Sequence, residues 1–167
     1  MIRSLGAEEA FARADSLADV LLDAIAAGAS VSFMAEMTRE EAVSYWRRIA
    51  EGVARGERVL LVAGEFDGTA QLVLDTPPNQ PHRAELAKML VHRRARRRGL
   101  GRALFAAVEA EARLRHRTLL TFDTMSGSGA EQLYLCCGAV KVGEIPGYAL
   151  FPAGGVPAAT SIFYKRL

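Results

Sequence analysis

The residues best equipped for chemistry crowd into one stretch, Met89 to Leu104, where Arg93, Arg94, Arg96, Arg97, Arg98 and Arg102 surround two glycines, Gly99 and Gly101. A strand-like run, Met89-Leu90-Val91, leads into this basic turn, and a helical pattern carrying Leu100 and Leu104 leads out of it. A helix starting there presents N–H groups without intrahelical partners and the positive end of its dipole, so main-chain donors can hold a phosphate. Glycine at positions 99 and 101 lets such a ligand approach the backbone with no Cβ in the way. The competing reading is a solvated basic loop with two incidental glycines.

Several other chemistries are disfavoured by residue type and spacing. The turn lacks the Gly-Lys-Ser/Thr ending of a P-loop, and its glycines miss the Rossmann fingerprint. Cys136 and Cys137 are adjacent, too strained for a mutual bridge, which removes a disulfide framework and fits a reducing compartment. His82, His92 and His116 lie far apart, none at metal-ligand spacing, so no metal is expected. A nucleic-acid-binding module would use the same arginines. Against it, the basic residues occupy one turn, net charge is only +2, and no aromatic ladder interleaves them. No apolar stretch approaches the roughly 20 residues of a membrane span. Glu8, Glu9, Asp15 and Asp19 stand where a signal peptide needs its apolar core. The expectation is a cytoplasmic protein without nucleic-acid or membrane partners; a homodimer stays open.

The elements that must position these residues follow from the apolar pattern. At 167 residues, 50% apolar and 24% charged, the chain can bury one core and is expected to be a single domain, 1–167. After a short strand at residues 1–5, Phe11, Ala14, Leu17, Leu21 and Ile25 recur at helical spacing, and Gly28 ends that helix. Thr38-Arg39-Glu40-Glu41 reads as a capping box for a second helix carrying Val43, Trp46, Ile49 and Val53. Residues 58–63, 69–75 and 84–92 are strand candidates that should form an antiparallel meander. A helix from Gly99 places Leu100, Leu104, Ala107, Val108 and Leu114 on one side and leaves Glu109, Glu111 and Arg113 for solvent. A strand at 118–124, a short helix from the Ser126–Gly129 turn through Cys137, and strands at 139–145 and 161–166 complete the pattern. The Gly- and Pro-bearing segment 146–157 is expected to be a loop between those last strands. The sum is an α/β domain with a mixed sheet.

Arg96-x-x-Gly99-x-Gly101 resembles the phosphate-binding signature of the GNAT acetyltransferases, and Ala130-x-x-Leu133-Tyr134-x-x-x-Gly138 resembles their fourth-helix motif. Segments 28–35, 84–91, Asp123-Thr124 and 143–148 are similar to the tabtoxin-resistance branch of that superfamily, so the resemblance covers nearly the whole chain. It implies the GNAT fold: a strongly bent mixed sheet flanked by helices, whose fourth and fifth strands splay apart to admit the pantetheine arm of acetyl-CoA. Backbone groups of Leu90 and Val91 would then bond the pantetheine amides. N–H groups from Arg97 through Arg102, including Arg98, Gly99, Leu100 and Gly101, would hold the diphosphate, with arginine side chains such as Arg96 adding contacts.

The implied activity is transfer of acetyl from acetyl-CoA to the amine of a small molecule, an amino-acid-like toxin or antibiotic, by direct attack on the thioester. Such a reaction needs a base for the amine and an acid for the departing thiolate. By the same resemblance, Tyr134 is the acid candidate and Asp123 and Glu85 are the base candidates. A backbone N–H near Val91 would serve the acetyl oxygen. Ser32, Phe33, Met34, Glu36 and Tyr148, with Asp123, are expected around the acceptor. Plainer roles compete: Tyr134 filling a groove with its hydroxyl on backbone, Asp123 capping the following turn, Cys136 and Cys137 as packing residues. Two departures from the family pattern are Gly127, where an asparagine is frequent, and Arg93, where a proline is common after Val-His. A non-catalytic acyl-CoA sensor is the alternative.

Overall fold

The computed structural model describes residues 1–167. Strands β1 (Ile2–Leu5), β2 (Arg58–Ala63), β3 (Gly68–Val73), β4 (Arg83–Val91), β5 (Leu119–Met125), β6 (Val140–Phe151) and β7 (Gly154–Arg166) form one sheet in the order β1-β2-β3-β4-β5-β7-β6. Helices α1 (Ala7–Ala12), α2 (Ala14–Ala26) and α3 (Arg39–Ala54) cover one face; α4 (Leu100–Leu114) and α5 (Gly129–Cys136) cover the other. β2 shows why both faces are buried: Leu60 and Val62 enter the core with α1–α3, while Val59, Leu61 and Ala63 enter the core with α4. An unbroken apolar strand is what a sheet covered on both sides requires.

All neighbouring strands pair antiparallel except β4 and β5, which run parallel. That parallel ladder holds for three residue pairs only, Arg83↔Leu119, Ala84↔Leu120 and Glu85↔Thr121. Beyond Glu85 the two strands part, so the β5-facing backbone of residues 86–91 has no strand partner. β4 also carries a bulge, because Thr69 pairs with Leu90 and Gln71 with Ala87, leaving Lys88 and Met89 opposite one residue. Lys88 adopts φ +46°, the left-handed region that a non-glycine residue enters only under constraint. The bulge inverts the alternation: Ala84 and Leu86 face α4, whereas Leu90 faces α2 and α3.

Several expectations need correction. The first helix is broken at Arg13 into α1 and α2, and Phe11 turns outward, where the Arg47 guanidinium covers its ring 4.9 Å from the centroid. Leu114, the last residue of α4, is exposed, while Glu109 is drawn inward to pair with Lys165 at 2.6 Å. Residues 146–157 are largely strand: β6 and β7 form a long hairpin turning at Pro152-Ala153. Pro146 is tolerated because β6 is the sheet edge and its pairing is irregular between Ile145 and Ala149. The hairpin turn is tied to the α2–α3 connection, Ala35 N–H donating to the Pro152 carbonyl at 2.9 Å.

α5 is pinned to the sheet by a buried carboxylate. Glu131 accepts from Lys141 Nζ at 2.7 Å, from Ser161 Oγ at 2.8 Å and from the Gly127 N–H, and these bonds hold its carboxyl down to about 2 against the cost of burial. A folded-state pKa below the ordinary 4.5 stabilises the fold fully above that value and is lost as pH falls through about 2. Thermal unfolding followed from pH 5 to pH 2 should therefore show a steep acid loss in the native chain. Glu131→Gln should start from a lower melting temperature at neutral pH and lose less on acidification; parallel curves would contradict the assignment.

Candidate active site

The wedge between β4 and β5 opens into a cavity of about 1300 Å³. It is roomy beside the roughly 300–1,000 Å³ usual for small-molecule sites. One end is closed where Arg83 donates to both Glu85, at 2.6 Å, and Thr121 Oγ1, at 2.8 Å, bridging the strands where they separate. The other end is the basic turn. Gly99 has φ +77° and is the N-cap of α4, with no side chain capping the helix. By contrast α3 has the Thr38/Glu41 capping box and α5 is capped by Ser128. Six consecutive backbone N–H groups, Arg97 through Arg102, make no hydrogen bond within the protein, while Ala103 N–H returns to the Gly99 carbonyl. A Cβ on Gly99 would meet nothing within 4 Å, so glycine is required there by backbone angle rather than by crowding.

The arginine cluster divides by role. Arg93 donates from its backbone (2.9 Å) and its side chain to Asp23, and Arg94 binds Asp67 at 2.7 Å and the Phe66 carbonyl at 3.1 Å. Arg96, expected to contact phosphate, folds back onto the Val91 carbonyl at 3.0 Å and Asp23 at 3.4 Å, although it still lines the cavity. Arg97, Arg98 and Arg102 have no carboxylate within ion-pair distance; Arg97 and Arg102 reach the cavity wall and Arg98 does not.

Asp23 was not anticipated. It stands on the buried face of α2 among Val20, Leu21 and Ala24, and a carboxylate in such a stripe must find cationic partners. Burial works most strongly against its charge, but the two bonds from Arg93 and the nearby His92 outweigh that and hold its carboxyl below the usual range. The outcome is a strut from α2 to the start of the basic turn.

Tyr134 is buried on α5 among Phe122, Phe105 and Phe163, with ring centroids 4.7, 5.7 and 5.9 Å away. It lines the cavity, and burial first, then the charge of Asp123, pushes its hydroxyl above the ordinary tyrosine range. No protein group hydrogen-bonds that hydroxyl, so the groove-filling role with a backbone bond does not describe it. Asp123 lines the same cavity and accepts from Thr160 Oγ1 at 2.7 Å; the α5 cap is Ser128 instead. Glu85 lines it too, with one oxygen held by Arg83.

Leu90, Val91, Gly99, Leu100, Gly101, Ser32 and Tyr148 are all on the cavity wall. Phe33, Met34 and Glu36 are off it. Phe33 packs edge-on against Tyr45 at 5.1 Å, and Met34 and Glu36 are exposed, because Ser32, with φ +74°, reverses the chain before them. The cavity instead receives Lys88, whose side chain the straight β-strand reading left unassigned.

The GNAT acetyltransferase family model matches residues 22–139, which span α2 through α5. The chain belongs to the GNAT family. Over 112 residues it is 37% identical to the uncharacterized N-acetyltransferase in the hisH-hisA intergenic region of Azospirillum brasilense, an alignment covering 64% of this chain and 65% of that protein. Among solved structures, the ribosomal-protein-alanine N-acetyltransferase of Brucella melitensis superposes with a TM-score of 0.80 at 22% identity, covering 100% of this chain and 99% of that one. The protein yncA of Salmonella typhimurium, solved with its cofactor acetyl-CoA, gives 0.78 at 16% identity, covering 100% and 93%. At these identities the superpositions establish a shared GNAT fold, and the sheet seen here, mixed and flanked by helices, is that fold.

If Asp23 braces the turn, Asp23→Asn should raise the KM for acetyl-CoA by about tenfold, the scale of one charged hydrogen bond, with kcat changed by less than about twofold. Steady-state kinetics checks this. An equal loss in kcat with KM unmoved would contradict the strut.

Proposed function

We propose that the chain transfers acetyl from acetyl-CoA to the amine of a small molecule, with an amino-acid-like toxin or antibiotic as the acceptor class that the tabtoxin-resistance resemblance suggests. The observation carrying this reading is the run of six unpartnered N–H groups, 97–102, at one end of a wedge whose other walls bring Tyr134, Asp123 and Glu85 together. Acetyl-CoA fits what the chain offers: a diphosphate for those N–H groups and the α4 dipole, two free guanidinium groups at Arg97 and Arg102, and an open β4 edge for an amide-bearing arm. When bound, it supplies an activated thioester carbonyl.

The chain's own groups then divide the work. Main-chain donors of the turn fix the diphosphate, and the β5-facing side of β4 near Leu90 and Val91 aligns the arm as a strand would, with the Val91 carbonyl shared with Arg96. An N–H near Val91 faces the acetyl oxygen, where negative charge grows during attack. Asp123, oriented by Thr160, accepts the proton that the acceptor ammonium must lose. Glu85, with one oxygen on Arg83, is less free for that task and contributes negative charge beside the acceptor. Tyr134 keeps its proton through the neutral range, since burial raises its pKa, and its unbonded hydroxyl is available to the departing sulfur. Cys136, on the last turn of α5, and Cys137, its C-cap, are not required, because direct attack needs no covalent intermediate.

Two substitutions test the roles. Tyr134→Phe should lower kcat by about 100-fold or more while the Kd for CoA stays within about twofold. Asp123→Asn should lower kcat/KM by about 100-fold while the Kd for CoA stays within about twofold. CoA release measured with a thiol reagent reads both, and unchanged turnover in Tyr134→Phe would reject the acid assignment.

A further inference from the structure

The one cation deep in the acceptor side of the wedge is Lys88. The β4 bulge turns its side chain toward the α2–α3 connection, where Nζ donates to Ser32 Oγ at 3.1 Å and sits 5.8 Å from the centroid of the Phe33 ring. Burial weighs against its charge, and Asp123, across the gap on β5, is the one acidic group whose field supports it. The two are not an ion pair: no carboxylate lies within 4.0 Å of Nζ. An ammonium has three donors, and here one is used. A half-buried lysine with unused donors, beside a serine hydroxyl and sharing one cavity with an unpaired carboxylate, is an incomplete polar constellation. A ligand carrying one negative and one basic group completes it.

We infer that Lys88 and Ser32 form a carboxylate subsite, so that the acceptor is an α-amino acid or a close analogue whose carboxylate is held by Lys88 while its amine lies at Asp123. This rests on the acetyl-transfer reading above and narrows its substrate class. Lys88 and Asp123 line one cavity from opposite strands, so a zwitterion would dock its anion on the β4 side of the wedge and its amine on the β5 side, where Tyr134 also lines the wall. The subsite also gives the strained bulge a use, since an unbulged β4 would send position 88 toward α4 and leave the acceptor space without a cation. An amine with no anion would leave a desolvated ammonium unpartnered, and a peptide or protein N-terminus, whose α-carbonyl is an amide, would do the same.

The test compares the L-amino acids with their primary amides and with the corresponding decarboxylated amines, scored by kcat/KM for CoA release at saturating acetyl-CoA. The native chain should prefer the free acid of its best acceptor over both neutral forms by about 10- to 100-fold, the scale of a charge-assisted hydrogen bond. That ratio should collapse toward one in Lys88→Met and be largely retained in Lys88→Arg, with the Kd for CoA measured in parallel. Preference for amides or amines, inertness of every amino acid, or a Lys88→Met loss equal for acids and amines would each overturn the inference. Failure to bind CoA would instead overturn the acetyltransferase reading.

Discussion

Everything at the site depends on two parallel strands that hydrogen-bond for three residues and then separate. β3 holds β4 along its outer edge and β7 holds β5 along its whole length, so each strand is fixed from outside while the gap between them stays open. The cores on the two faces stabilise the halves: Trp46, Leu17 and Leu21 on one side, Phe105, Phe163 and Leu120 on the other. A gap of this kind costs main-chain hydrogen bonds that a ligand lying along β4 can restore.

Electrostatics then orients the gap. At the α4 end, six unbonded N–H groups and the arginines without acidic partners make a positive terminus. The remaining arginines are structural: Arg93 and Arg96 meet Asp23, and Arg94 meets Asp67. At the end where β4 and β5 begin to diverge, Asp123, Glu85 and Lys88 are brought within one cavity. Tyr134 sits between these regions, held by its aromatic neighbours and, one turn earlier on α5, by the Glu131 anchor.

Much of this frame was readable before folding, for local reasons. β2 matches its expected limits because Val59 to Val62 is uniformly apolar between turn residues, and the α3 cap matches because Thr38 and Glu41 carry the whole motif. The glycine turn was legible because Gly99 and Gly101 open a helix directly after a strand. What was not legible depends on tertiary context. Nothing in Leu86-Ala87-Lys88-Met89 marks a bulge, since no glycine or proline interrupts it, yet that bulge carries Lys88 to Ser32 in the cavity wall. Pro146 and Gly147 read as loop, but an edge strand tolerates both. Phe33, Met34 and Glu36 were drawn to the pocket by proximity in sequence, and one positive φ at Ser32 redirected them. Asp23 had left a usable signal: an acid on the buried stripe of α2 demands a cationic partner, and the basic turn was the obvious supply.

The central claim concerns main-chain donors, so the most direct measurement observes them one at a time. Amide hydrogen exchange of the intact chain, resolved by residue and recorded with and without saturating CoA, should show marked slowing at residues 97–102 and along the open edge of β4, with little change in β1, β2 and α3. Exchange at 97–102 that is indifferent to CoA, while CoA is demonstrably bound, would contradict the account.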